Sequence, residues 1–167
     1  MKQVIFVFLL LIFTALSGKT LACDCDYEGG FLTVAPNTDL VAVVTVKKFL
    51  TFKDIYNEKT PMSMEVEITE VILGEEKRKT IVIWGDNGAL CRPYLSIFQE
   101  GSSYVMALSQ PEIYANESNT DYIISNCGRY WLNVTTADQT VCGDIAEKTN
   151  QLTLAELRKQ LQLVMRE

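Results

Sequence analysis

Apolar residues fall along this chain in short runs separated by polar stretches, with a helical rhythm only at the end. Leu40-Val41-Ala42-Val43-Val44-Thr45-Val46 is β-branched and almost continuously apolar, the pattern of a strand buried on both faces. Residues 51–61 are polar with scattered aromatics and read as a long hairpin loop. Met64-Glu65-Val66-Glu67-Ile68-Thr69 then alternates strictly, predicting a second strand that runs through Val71 and Leu73 to a turn at Gly74. Thr80-Ile81-Val82-Ile83-Trp84 is a third strand, and Gly85-Asp86-Asn87-Gly88 after it has turn composition. A short helix with Pro93 in its first turn fits residues 92–99. Tyr104-Val105-Met106-Ala107-Leu108, entered from Gly101, is the fourth strand. Tyr122-Ile123-Ile124-Ser125 is the fifth, resuming after Cys127 through Tyr130, Trp131 and Leu132. Leu154, Leu157, Leu161 and Val164 recur at helical spacing behind Thr153-Leu154-Ala155-Glu156, which has the form of a capping box. Residues 27–37, with Gly29, Gly30 and Pro36, read as a connecting loop.

Five strands and one late helix predict a mainly β domain: a five-stranded Greek-key barrel of the OB type, with a C-terminal α-helix and a short helix after strand three. A β-sandwich is the second choice. There is no internal repeat and no Pro/Gly/Ser linker, so residues 23–167 form a single domain.

The first 22 residues belong to a different pattern. Lys2 precedes the apolar run Val4 to Phe13, and a less apolar stretch ends at Ala22, which makes a secretory signal peptide with cleavage before Cys23. The run is too short for a spanning helix, which takes about 20 residues. A lipoprotein signal also ends in Ala-Cys and would acylate Cys23. Removing residues 1–22 from 167 leaves 145, ample for one core. It also takes Lys2 and Lys19 from the 15 basic residues and none of the 21 acids, so the net charge moves from −6 to −8. That balance disfavours nucleic acid and anionic membrane surfaces. It fits a secreted or extracellular protein, or a periplasmic or envelope protein in a bacterium.

Cysteine usage agrees with export. Cys23, Cys25, Cys91, Cys127 and Cys142 imply a disulfide framework with one left over, and fifteen ways of drawing two bridges. Acylation of Cys23 would leave four. Cys23 and Cys25, one residue apart on an extended strand, are poorly placed to bond each other, so each bonds a distant cysteine. The mature N-terminus would then be stapled at two points, with Asp24 between the staples.

Several of these residues together carry a resemblance. Cys23-x-Cys25 at the mature N-terminus, Cys91 after strand three, Gly101-x-x-Tyr104 entering strand four and Ser125-x-Cys127 ending strand five resemble the netrin-like module. The chain is most similar to the inhibitory domain of the tissue inhibitors of metalloproteinases, over residues 23 to about 131. The resemblance implies bridges Cys23–Cys91 and Cys25–Cys127, leaving Cys142 without a mate. It implies a protein-binding edge made of Cys23, Asp24, Cys25, Gly88, Ala89, Leu90 and Cys91. In that family the α-amine and carbonyl of the first cysteine chelate the zinc of the target protease, and the next residue enters its substrate pocket. Cys23 would be the chelator, with no intrinsic metal site or cofactor in this chain, and Asp24 the pocket residue. An α-amine with a pKa near 7.7–8.0 is readily deprotonated by metal. Asp24 departs from the family's small uncharged hydroxyl residue, and an unpaired carboxylate is costly to bury in an apolar pocket. The partner implied is an extracellular protein, a zinc metalloprotease in the inhibitor reading; a non-inhibitory adhesion or binding module is the alternative.

Other chemistries find little support. The chain has no histidine, which removes Ser-His and Cys-His nucleophile pairs, and no metal site can be assembled, so no enzyme is expected. Asp24, Asp26 and Glu28 form an acidic patch that reads as a solvated face. Asp86-Asn87-Gly88 lacks the rest of a calcium loop and reads as a turn. Trp84, Tyr94, Tyr130 and Trp131 could make a stacking platform, although packing is the commoner use of aromatics. Asn116-Glu117-Ser118 and Asn133-Val134-Thr135 are glycosylation sequons in a eukaryotic source.

Overall fold

β-branched and alternating segments pair into one large, mostly antiparallel sheet in the computed structural model, which describes residues 25–111, 117–135 and 139–164. Residues 1–22, and with them the expected signal peptide, lie outside the described residues. The first strand, β1 (Leu40–Phe49), is the centre of the molecule. Leu40, Ala42, Val44 and Val46 point into one apolar cluster, and Val41 and Val43 into another. Two buried faces explain why its sequence shows almost no alternation.

After β1 the chain makes a separate hairpin, β2 (Phe52–Ile55) with β3 (Glu58–Pro61). Tyr56 and Asn57 at its tip have φ of 53° and 65°, two successive left-handed residues that let a two-residue turn follow the twist of its strands. The stretch expected as a loop is thus a hairpin in its own right. β4 (Ser63–Gly74) returns along β1 with three register shifts, which bend the long pair. β5 (Thr80–Trp84) completes the meander. A one-turn 3-10 helix, Leu95–Ile97, stands where the short helix was expected. β6 (Ser103–Leu108) pairs with the other side of β1, and β7 (Tyr122–Ile123) lies parallel to β5.

The order of the sheet is β10-β9-β8-β6-β1-β4-β5-β7, with β8 at Trp131–Thr135, β9 at Thr140–Ala146 and β10 at Thr149–Thr153. This corrects the five-stranded barrel in two ways. Among the described residues the sheet has eight strands, and no barrel closes. The expected fifth strand splits: β7 ends at Ile123, and Trp131 begins β8, which pairs with β6 on the far side of β1. The chain turns between them through residues 126–128, where Cys127 is tied back to Cys25. β9 and β10 are additional to the strands the sequence pattern predicts. Val141 and Ile145 are the fully buried apolar residues of β9, and between them Gly143, at φ 152°, interrupts the period of two.

Two cores follow from this arrangement. One lies under β1, β4, β5 and β6, closed by Leu95, Phe98, Tyr122 and Ile124. The other lies between β1, β6, β8 and β9 and two helices, α1 (Phe31–Val34) and α2 (Leu154–Val164). α1 replaces part of the connecting loop expected at residues 27–37: Phe31 and Ala35 are fully buried there. α2 begins as its sequence predicts, with Glu156 N–H donating to Thr153 Oγ1 at 3.2 Å and Thr153 N–H donating to Glu156 Oε2 at 3.0 Å. No helix among the described residues is long and apolar enough to cross a membrane.

One carboxylate links the β4–β5 connection to β7. Glu76 accepts from the Arg78 backbone N–H at 2.8 Å, from Arg78 Nε at 3.0 Å and from the Tyr122 hydroxyl at 3.1 Å. The Arg78 side chain, ahead of the other contacts, pulls its pKa from 4.5 down to about 2. A depressed carboxylate stabilises the fold above its ordinary pKa, and this contribution fades as pH falls from 4.5 towards 2. The thermal midpoint of the Glu76→Gln variant should therefore lie below wild type at pH 6 and converge on it by pH 2. A gap that stays constant over that range would exclude this linkage.

Candidate functional site

The segment between β5 and the 3-10 helix is built around one side chain. Asp86 is buried, and its Oδ1 accepts from the backbone N–H groups of Gly88, Ala89 and Leu90 at 3.0, 3.1 and 2.7 Å. Its own N–H donates to Pro93 O at 3.0 Å, closing the loop at its base. Gly88, at φ 92°, occupies a left-handed conformation that suits glycine, and it lies next to Ile55 of the β2–β3 hairpin. Asp86-Asn87-Gly88 is thus a turn, as its sequence suggested, with the carboxylate spent on backbone donors. The loop presents Gly88 and Ala89 to solvent and leaves Leu90 and Cys91 half-buried.

The N-terminal segment runs alongside. Cys25 is bonded to Cys127, with Cα atoms 5.7 Å apart. Glu28 N–H donates to Cys127 O at 2.7 Å and Arg129 N–H to Gly29 O at 3.0 Å. Two phenols fasten the strap further: Tyr130 donates to Glu28 and Tyr27 to Asp144. Burial, and then the bond to the Glu28 carboxylate, pushes the Tyr130 hydroxyl up to about 12. The Tyr27 hydroxyl is raised chiefly by its bond to Asp144. Within the acidic patch Glu28 is therefore engaged with Tyr130, Asp26 is exposed, and Asp24 lies outside the described residues.

The two pieces meet at sulfur. The Sγ atoms of Cys25, Cys91 and Cys127 lie within 4.8 Å of one another. Cys91 is also in a disulfide, and its carbonyl accepts from Asn126 N–H at 3.1 Å. Sulfurs held in disulfides are not thiolates, so the cluster is not a metal site as it stands. The expected Cys25–Cys127 bridge is present. Cys23, the other half of the expected Cys23–Cys91 pair, lies outside the described residues, so the structure brings together Cys25, Gly88, Ala89, Leu90, Cys91 and Cys127. Cys142, on β9, is free.

The wall behind the loop is held by charge. Arg92 and Glu117 form an ion pair whose side chains are only 6% and 5% exposed, with Arg92 Nη2 3.2 Å from Glu117 Oε2. Trp84 Nε1 donates to Asp121 Oδ2 at 2.7 Å, and Ser118 N–H donates to the same oxygen at 3.1 Å. The four aromatics of the proposed stacking platform are not one surface. Trp84 is anchored on Asp121, and Trp131 packs edge-on against Phe98 at 5.5 Å. Tyr130 holds the strap, and only Tyr94 faces open solvent.

Tyr94 belongs instead to a groove that the sequence did not reveal. It has a volume of about 340 Å³ and is lined by Ile55, Tyr56, Glu58, Thr60, Tyr94 and Ser96. The available signal was Tyr56-Asn57 inside a polar alternating stretch, a turn dipeptide between two short strands. No protein-family model and no curated protein matches this chain.

Proposed function

We propose that this is a secreted, non-enzymatic, netrin-like domain that binds another extracellular protein along the edge formed by its mature N-terminus and residues 88–91. A zinc metalloprotease is the partner this reading favours, with the Cys23 amine and carbonyl as chelating groups. The observation that carries the reading is the sulfur cluster: a bridged Cys91 beside the Cys25–Cys127 bond sets the exposed Gly88 and Ala89 against the N-terminal segment. Strand order adds support. β1, β4 and β5 form a meander, β7 lies parallel to β5, β6 pairs with β1, and a single bridge ties Ser109 to Ile123. That is the connectivity an OB-type module uses, within a sheet that here continues into three further strands.

The test is inhibition of a panel of zinc metalloproteases by protein whose N-terminus is verified as Cys23. One alanine added before Cys23 moves the α-amine away from the chelating position and should abolish inhibition. Asp24→Thr removes a carboxylate whose burial opposes binding and should tighten it by about tenfold or more. Equal inhibition by the extended chain would refute chelation. A second reading, a non-inhibitory binding module, is favoured by the exposed β2–β3 hairpin, whose tip residue Tyr56 is 89% exposed.

A further inference from the structure

We infer that the groove between the β2–β3 hairpin and Tyr94 receives an arginine or lysine side chain presented by a protein partner. The inference does not depend on zinc chelation and stands or falls separately from it. The hairpin's cross-strand register puts Ile55 with Glu58, and Lys53 with Thr60, on the groove face, and Phe52 with Pro61, and Asp54 with Lys59, on the other. Tyr56 and Tyr94 supply two aromatic rings to the groove. Burial, and after it the neighbouring Asp86 carboxylate, raises the pKa of the Tyr94 hydroxyl.

Charge decides the occupant. Among the described residues the Glu58 carboxylate has no ion pair or hydrogen bond, while both lysines of the hairpin are engaged. Lys53 Nζ reaches to Asn87 O at 3.0 Å, and Lys59 Nζ lies 4.6 Å over the Phe52 ring on the opposite face. A groove with two ring faces and one unopposed carboxylate, on a chain of net charge −6, is complementary to a cation with an apolar stem. The surroundings favour a protein as the source of that cation. Of the eight exposed large apolar side chains among the described residues, Tyr56 and Tyr94 line the groove and Ile97 lies on the neighbouring 3-10 segment. An apolar rim around a polar slot is what a protein contact uses and a solvated face does not.

The experiment is an NMR titration of the secreted protein with the peptide acetyl-Gly-Arg-Gly-amide and with its neutral isostere containing citrulline. The arginine peptide should shift resonances of Tyr56, Glu58 and Tyr94, and the citrulline peptide should not. Glu58→Gln and Tyr56→Ala, both at exposed positions, should each weaken arginine-peptide binding by about 2–5-fold, while Glu65→Gln, a carboxylate on β4, should not. Equal shifts with the citrulline peptide would overturn the inference, since the groove would then be selecting shape alone. So would shifts spread over the acidic surface and indifferent to Glu58→Gln, or no shift up to the solubility of the peptide.

Discussion

Replacing both Cys25 and Cys127 by serine should lower stability by about 4–5 kcal/mol. The bridge spans 102 residues, and in the chain-entropy treatment a loop of that length restricts the unfolded ensemble by roughly this amount. For a domain of this size the melting temperature should fall by about 8–20 °C, at ~2–4 °C per kcal/mol. Both cysteines must be changed together. A single replacement leaves a thiol within 4.8 Å of Cys91, close enough to attack its bridge and exchange partners, which would confuse the measurement. The loss should also be local: amide exchange at Glu28 and Arg129, whose N–H groups hold the N-terminal strap, should accelerate more than exchange within β1. Cys142→Ser is the matched control, because that thiol is free, and it should leave the melting temperature nearly unchanged. A double variant within about 1 kcal/mol of wild type would show that the strap is held by its hydrogen bonds and not by the bridge.

How far the sequence reveals this fold depends on what each segment buries. β1, β4, β5 and β6 are legible because their apolar residues are consecutive or strictly alternating, and α2 because a reciprocal cap precedes a heptad-like stripe. β8, β9 and β10 are poorly legible for a physical reason. Each turns few apolar residues to the second core: Leu132 on β8, Val141 and Ile145 on β9 and the partly buried Leu152 on β10, with Gly143 breaking the alternation on β9. α1 hides because a four-residue helix has no period to display, and its buried Phe31 and Val34 follow two glycines that signal a loop. Besides the added β9 and β10, the barrel expectation fails at Tyr130-Trp131-Leu132, which has the composition of a continued strand, while the turn at residues 126–128 sends it across β1 to pair with β6. The candidate site divides in the same way. Cys25, Cys91 and Cys127 could be grouped from spacing and resemblance, but nothing in the letters shows that Asp86 would spend its carboxylate on three backbone donors. Nor do they show that Tyr94 would face Tyr56 across a groove, because that contact depends on how a polar hairpin folds back over the 3-10 segment.

Arg92→Leu should destabilise the protein by about 3–5 kcal/mol, because it strands the Glu117 carboxylate in a site where the side chain is only 5% exposed. A buried ion pair is asymmetric in this respect. Its net worth relative to an apolar pair is small, since desolvation of both groups offsets most of their attraction, whereas removing one partner leaves the full penalty on the other. One consequence separates this explanation from a simple loss of packing: Arg92→Leu combined with Glu117→Leu should recover most of the lost stability. The site should respond too. Arg92 directly follows Cys91, and Glu117 lies in the segment that Asp121 ties to Trp84, so the pair joins the two loops flanking the sulfur cluster. Stranding Glu117 should therefore loosen residues 88–91 and weaken partner binding at that edge, and the double variant should restore stability more completely than binding. If the double variant proves as unstable as the single one, the hydrogen-bonding of Arg92, and not relief of a buried charge, governs this wall. Chemical denaturation of wild type, the single variant and the double variant at pH 7 decides between the two accounts.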